Sequence, residues 1–182
     1  MTTTNTQNET IVGKVKAIIR DVPDFPKSGI IFKDITPLLA DNAIFTEAIK
    51  HMAAEYKGRG ITKVLGIEAR GFILAAPIAM ELGAGLVPVR KKGKLPYKTV
   101  SATYALEYGE DTLQMHEDAV KKGEKVLIVD DVLATGGTAK AVCSLVEKLG
   151  GKVDGIAMLI ELGFLNGREK LAGHKVSALI KY

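Results

Sequence analysis

The amino-acid sequence predicts an α/β fold, a central parallel β-sheet flanked by helices, and three observations carry that prediction. Short apolar runs alternate with amphipathic stretches: KVLGIEA from Lys63, LVPVR from Leu86, KVLIV from Lys125, then about Val153 to Ile160 and Lys175 to Ile180. Strands that read as near-continuous apolar runs are buried on both faces, as parallel strands under helices are. The composition is 47% hydrophobic but only 5% aromatic with no Trp, so the core rests on Ile, Leu, Val and Ala. A chain of 182 residues with a single cysteine fits one domain carrying a small lobe, stabilised by burial and not by disulfides.

The elements follow in order. Residues 1–10, MTTTNTQNET, have neither the basic residues nor the apolar run of a signal peptide and read as a disordered tail ahead of a single domain over 11–182. Apolar positions 11, 12, 15, 18 and 19 repeat at helical spacing. Between Pro23 and Pro37, three prolines and a glycine surround an apolar centre, which predicts an ordered irregular segment or a short edge strand. Ala43 to Tyr56 reads as a helix, and so does FILAAPIAMELG, closed by Gly83. Thr99 to Tyr108 and Thr112 to His116 alternate loosely around a turn at Gly109-Glu110-Asp111, the pattern of an extended hairpin or flap. A last helix, with apolar positions 139, 141, 142, 145, 146 and 149, stops at Gly150-Gly151.

Charge and composition narrow the function classes. The longest apolar stretch, Gly71 to Val89, contains Glu81, Pro77 and Pro88 and divides into a helix and a strand, so no membrane role follows. A net charge of +4 from 25 basic and 21 acidic residues is mild. Arg90, Lys91, Lys92 and Lys94 form the dense basic cluster without interleaved aromatics, which suits a small polyanion better than a nucleic acid. Cys143 lies in an apolar helical pattern and reads as a small buried side chain; an unpaired cysteine also suits a reducing, cytoplasmic setting. His51, His116 and His174 have no metal-ligand spacing.

The chemistry concentrates in VLIVDDVLATGGT, residues 126–138. A buried strand ending at Val129 meets Asp130-Asp131 and then Ala134-Thr135-Gly136-Gly137-Thr138. Glycines let the backbone turn tightly and aim several N–H groups inward, and a helix starting near Gly137 adds the positive end of its dipole, a combination that holds a phosphate monoester. Thr135 and Thr138 add hydroxyl donors. No Lys follows the second glycine, which disfavours a Walker A loop and triphosphate hydrolysis. The adjacent carboxylates stand at the carboxyl end of a parallel strand, where open α/β sheets bind ligands, and could accept hydrogen bonds from sugar hydroxyls directly or through Mg²⁺-bound water. A helix cap is the competing reading, but it accounts for neither both aspartates nor both glycines.

This segment resembles the PRPP-binding motif of type I phosphoribosyltransferases. FPKSGIIFKDITPLL (25–39), GIEARGF (66–72), RKKGKLP (90–96) and YALEYG (104–109) further resemble the adenine-specific branch of that family, so that the likeness spans nearly the whole chain after residue 20. The resemblance implies the type I phosphoribosyltransferase fold, with a small N-terminal hood over about 20–40 and a flexible β-hairpin loop over about 95–116. It implies transfer of 5-phosphoribosyl from PRPP to N9 of adenine, giving AMP and pyrophosphate, with Mg²⁺ held mainly by PRPP and water and not by direct protein ligands, in a cytoplasmic homodimer. The resemblance puts Phe32 against adenine, with the Ile31 and Lys33 backbone at its edge; Ala134, Thr135, Gly136, Gly137 and Thr138 on the ribose 5-phosphate; and Glu68, Ala69 and Arg70 on pyrophosphate, with a cis peptide at Glu68-Ala69. Arg90, Lys91 and Lys94 extend that anion site. Asp130, Asp131, Glu107 and Arg70 are the catalytic candidates, and Tyr108 accompanies Glu107 in the flexible loop.

Read without the family, Phe32 equally suits a core aromatic, Lys33 and Asp34 a surface ion pair, Glu68 to Gly71 a solvated turn, Arg90 to Lys94 a charged strand end, and Glu107 a solvent-facing strand position. Two rival functions remain. A phosphoribosyltransferase for hypoxanthine, xanthine or guanine would differ only in the hood. A PRPP-sensing regulator would need a nucleic-acid-binding element, for which the residues ahead of the hood segment are too few.

Overall fold

The computed structural model describes residues 6–105 and 110–182, the side chains of 6–10 and 105 excepted. The chain divides into two compact units, Met1–His51 and Met52–Tyr182. In the first, helix α1 (Thr6–Ile18) takes in the second half of the expected tail, whose first five residues lie outside the described ones. Strands β1 (Arg20–Pro23) and β2 (Ile31–Asp34) pair antiparallel with Val22 opposite Phe32, so the proline-rich segment is a small two-stranded sheet. Its connection turns at Asp24, whose carboxylate accepts the Gly29 N–H at 2.7 Å. Helix α2 (Thr36–Ala40) starts with Pro37 in its first turn, where a missing N–H costs nothing. Periodicity passes over it because five residues are too few to show a 3.6-residue repeat. Asp41 accepts the Ile44 N–H at 2.9 Å and so caps helix α3 (Asn42–Ala54), whose last turn belongs to the second unit.

The second unit is built on a seven-stranded sheet. Its strands are β3 (Lys63–Ile67), β4 (Gly85–Lys91), β5 (Thr99–Ala105), β6 (Glu110–His116), β7 (Lys125–Leu133), β8 (Lys152–Glu161) and β9 (Val176–Lys181). Their spatial order is β5-β6-β4-β3-β7-β8-β9. The five strands from β4 to β9 in that order run parallel, while β5 and β6 form an antiparallel extension joined to β4 at Arg90–Gln114 and Lys91–Leu113. The expected flap is thus continuous with the main sheet. Of the turn expected at Gly109-Glu110-Asp111, Glu110 and Asp111 are strand residues paired with Ala105 and Tyr104, and residues 106–109 lie outside the described ones. Seven residues of matched alternation outweigh the local turn preference of a Gly-Glu-Asp triplet.

Helices α4 (Arg70–Leu82) and α5 (Gly137–Lys148) complete the unit. Helix α4 ends as expected at Gly83, whose φ of 63° is the left-handed conformation a helix terminus favours in glycine. Helix α5 buries Ala139, Ala141, Val142, Cys143, Leu145 and Val146. These join Leu65, Val89, Leu113, Ile128 and Met158 in one apolar core. Complete burial of each large aliphatic side chain there contributes roughly 1.5–3 kcal/mol. No described helix is long and apolar enough to cross a membrane.

Leu145→Ala is expected to cost about 2–5 kcal/mol, measured by urea denaturation, because it leaves a cavity beneath α5. Burial pushes the Cys143 thiol up to about 11. Near neutral pH a thiol reagent should therefore label Cys143 only when the protein is denatured.

Candidate active site

The site begins where two neighbouring strands stop at different heights. Pairing between β3 and β7 ends at Gly66–Val129, whereas β7 stays paired with β8 through Leu133–Glu161. The strand expected to end at Val129 therefore continues through Asp130 and Asp131 to Leu133. The acidic pair lies on a stretch hydrogen-bonded along one edge only. Its other edge faces the start of α4. Glycine is required at position 71: a Cβ there would stand 2.8 Å from Asp130 Oδ1 and 3.0 Å from the Val129 carbonyl.

Arg70, one residue earlier, places its Nε 2.7 Å from Asp131 Oδ2, and Asp131 is 6% exposed. The Asp131 amide donates to Asp130 Oδ1 at 2.9 Å. Burial raises the Asp130 carboxyl well above the usual carboxylate range, and the charge of Asp131 adds to the rise. The Asp131 amide and Arg70 offset this only in part. The ledge thus holds one carboxylate paired with arginine beside another whose ionisation burial opposes.

Ala134, Thr135 and Gly136 form the bend after β7, and Gly137 opens α5 as expected. Gly136 takes φ 79°, which lets the chain reverse into the helix, and no side chain caps the first turn. The amides of that turn therefore remain for an anion. The Tyr104 hydroxyl donates to Asp111 Oδ2 at 3.5 Å; burial shifts it upward in pKa, and the nearby Thr138 side chain opposes the shift. Tyr104 on β5 is thus a neighbour of the loop.

The segment after β3 carries the expected cis peptide at Glu68-Ala69. Glu68 accepts Arg90 Nε at 3.2 Å, Arg90 Nη2 at 3.3 Å and the Lys91 amide at 2.9 Å. The hydrogen bond from Arg90 is the main reason its carboxyl is held below the usual range, and the charge of Lys94 contributes. Arg90 also donates to the Lys94 carbonyl at 3.3 Å, and its guanidinium lies 5.9 Å from the centre of the Phe72 ring. The structure therefore brings Glu68, Arg90, Lys91 and Lys94 together. At the centre of the cluster stands the carboxylate of Glu68, and Lys91 Nζ turns to Asp111 Oδ2 at 3.3 Å.

The remaining candidates belong to the first unit or fall outside the described residues. In the first unit Phe32 packs edge-to-face on Phe25 with ring centres 5.2 Å apart, Ile31 is exposed, and Lys33 Nζ meets Asp21 at 2.6 Å. Asp34 accepts the Thr36 amide and hydroxyl, each at 2.9 Å. Glu107 and Tyr108 lie outside the described residues. Sequence reasoning misses Gly71, Phe72 and Tyr104 because each gains its role from a partner distant in the chain. The one available signal is the GF that follows EAR.

Two substitutions test these electrostatics. The folded-state pKa of Asp130 is raised, so ionising it opposes folding once pH climbs above the ordinary value of 3.8, and the penalty grows up to the folded-state pKa. Asp130→Asn is accordingly expected to raise Tm of the ligand-free protein at neutral pH. Gly71→Ala should cost roughly 1–3 kcal/mol by overpacking, read by denaturant titration.

Residues 37–176 match the family model described as a phosphoribosyl transferase domain. The adenine phosphoribosyltransferase of Myxococcus xanthus is 54% identical over 173 residues, covering 95% of this chain and 94% of that protein. The crystal structure of adenine phosphoribosyltransferase from Thermoanaerobacter pseudethanolicus superposes with a TM-score of 0.91 at 53% identity, covering 94% of this chain and 99% of that one. That of Saccharomyces cerevisiae, complexed with adenine and an imino-altritol bisphosphate, gives a TM-score of 0.89 at 36% identity, covering 94% and 99%. With a seven-stranded sheet of the same architecture and a glycine loop at the edge of its acidic ledge, the chain belongs to the phosphoribosyltransferase family and, within it, to the adenine phosphoribosyltransferases.

Proposed function

We propose that the protein transfers the 5-phosphoribosyl group of PRPP to N9 of adenine, producing AMP and pyrophosphate in purine salvage. The observation that carries this reading is the ledge itself, where an acidic pair, a glycine-turned helix N-terminus and an arginine meet at the end of β7. The relatives and the yeast structure containing adenine support the choice of base.

The 5′-phosphate sits on Ala134 to Thr138, receiving the amides of the first turn of α5 and the Thr135 and Thr138 hydroxyls. Asp130 and Asp131 accept hydrogen bonds from the ribose hydroxyls, and Glu68, Ala69, Arg70, Arg90, Lys91 and Lys94 surround the diphosphate. Phe32 packs on adenine, and the Ile31 and Lys33 backbone reads its edge, so a 6-oxo purine would leave a buried donor or acceptor unpaired. Adenine N9 attacks ribose C1, the bond from C1 to the diphosphate oxygen breaks with its electron pair leaving on that oxygen, and the N9 proton passes to water. Positive charge grows on the ribose ring, where Asp130, Asp131 and Glu107 stabilise it electrostatically while the loop bearing Glu107 and Tyr108 closes out water.

Among the described residues no three Asp, Glu, His or Cys side chains gather into a metal cage, and Asp131 is already paired with Arg70. Asp130 and Asp131 would meet a Mg²⁺ ion carried by PRPP through its water ligands, and the ion would supply charge neutralisation for the diphosphate. The resemblance implies a homodimer, and Ile73 and Met80, exposed one heptad apart on α4, offer an apolar stripe for it. A cytoplasmic setting agrees with the unpaired Cys143.

The decisive assay incubates the protein with PRPP, Mg²⁺ and each purine separately. AMP from adenine is expected; nucleotide from hypoxanthine and none from adenine would overturn the base assignment and leave the fold untouched. Glu107→Gln should lower kcat by about 10²-fold while PRPP affinity changes little, since its interaction strengthens only as charge develops. Equal losses in both would show that Glu107 does not act on the developing charge.

A further inference from the structure

Behind the phosphate loop lies a second loop to which the reaction above assigns no role. After β8 the chain makes two 3-10 turns, Gly163–Leu165 and Gly167–Leu171, before entering β9. This segment and the phosphate loop touch backbone to backbone. A Cβ on Gly136 would collide with the Gly167 carbonyl; one on Gly167 would collide with the Ala134 carbonyl and lie 3.0 Å from the Gly136 nitrogen. Such an approach leaves no room for a side chain on either strand of the contact. The two segments are also tied below it, where the Leu162 amide donates to the Leu133 carbonyl at 2.9 Å and Leu171 joins Leu133 and Ala139 in the core.

What fixes the second loop is an ion pair. Glu161, the last residue of β8, is 4% exposed. It accepts Arg168 Nε at 2.8 Å and Nη2 at 2.7 Å in a two-pronged fork. The third nitrogen, Nη1, donates to the Val176 carbonyl at 2.8 Å. One guanidinium thus locks the end of β8, the start of β9 and the residue next to Gly167. Lysine could supply the charge but not three donors in one plane.

We infer that the segment Leu162–Leu171 is a buttress for the ribose 5-phosphate loop, and that Arg168, locked on Glu161 and the Val176 carbonyl, is a positioning residue that sets the loop's geometry through Gly167. It touches no substrate. Its effect reaches the reaction because amides that bind a phosphate must converge on one point, and a displacement of the loop misaims all of them together. The inference rests on the assignment of Ala134 to Thr138 to the 5′-phosphate.

The test measures binding of ribose 5-phosphate and, separately, of pyrophosphate with Mg²⁺ by calorimetry, together with KM for PRPP and kcat. It compares the wild type with Arg168→Met, Arg168→Lys and Gly167→Ala. Arg59→Met serves as the control, since it breaks the Arg59–Asp154 ion pair of 2.7 Å, which joins the entry to β3 with the start of β8 at the opposite ends of the strands. Arg168→Met is expected to weaken ribose 5-phosphate and raise KM for PRPP about tenfold, with pyrophosphate binding and kcat held, as a misaimed loop requires. Arg168→Lys should fall between it and the wild type, Gly167→Ala should match the methionine variant, and Arg59→Met should lose thermal stability alone. If Arg168→Met does not fold, the lysine and alanine variants carry the comparison. Equal losses for ribose 5-phosphate and pyrophosphate, or binding in the Arg168 and Gly167 variants no weaker than in Arg59→Met, would overturn the buttress. A wild type that binds pyrophosphate but no ribose 5-phosphate would overturn the loop assignment beneath it as well.

Discussion

The structure depends on the unequal pairing of β7. On one side its ladder with β3 stops at Val129; on the other its ladder with β8 continues to Leu133. Had both stopped together, Asp130 and Asp131 would lie in a loop exposed to water. Had both continued, the aspartates would be buried in a sheet with no room for a ligand. The one-sided extension gives them the rigidity of a strand and leaves an open flank, which is where a crossover sheet has space to receive a ligand. The strand that feeds this ledge, Val126 to Val129, is wholly buried, so its position is fixed by the core.

Charge at the ledge works against folding, and the carboxylates elsewhere work for it. Glu68 and Glu161 have depressed pKa values, chiefly because arginines donate hydrogen bonds to them. Their contribution to stability is fully present above the ordinary carboxylate value of 4.5 and fades as pH falls through their folded-state values. Asp130 has the opposite sign, raised by burial. A group that costs stability in the free protein is tolerated where a ligand compensates it, and the aliphatic core around α5 and the central strands supplies the surplus that permits this.

The parallel strands themselves, though not their spatial order, were legible because buried strands between amphipathic helices leave a mark that neighbouring residues share. The phosphate loop was legible for a related reason: strand end, acidic pair, glycines and helix start are consecutive, so one stretch of sequence contains the whole device. The five-residue α2, the strand character of Asp130 to Leu133 and the pairing of Glu110 with Ala105 were not, since each is decided by a partner strand or by too few residues to show a period. The same holds for side chains. Arg70 was singled out as an anion ligand, but its contact with Asp131 joins two segments that no spacing rule connects. Lys33 was weighed as an ion pair with its neighbour Asp34, and its contact with Asp21 is set by strand register. Gly167, in a stretch without apolar repeat, shows its importance only when the backbone pressed against it is seen.

The carboxylate of Glu68 bears on how the protein meets other anions. The block Arg90 to Lys94 is the densest run of positive charge in the chain, yet Glu68 sits among its side chains and Asp111 pairs with Lys91. Two of its four positive charges are thereby offset, and beyond a Debye length of about 8 Å salt screens what remains, so the pull on a passing polyanion is reduced. Within contact range its donors still point in fixed directions. Anions are therefore sorted more by fit after arrival than by attraction during approach, so a mildly basic protein can handle a highly charged small molecule without drawing nucleic acid to the same face.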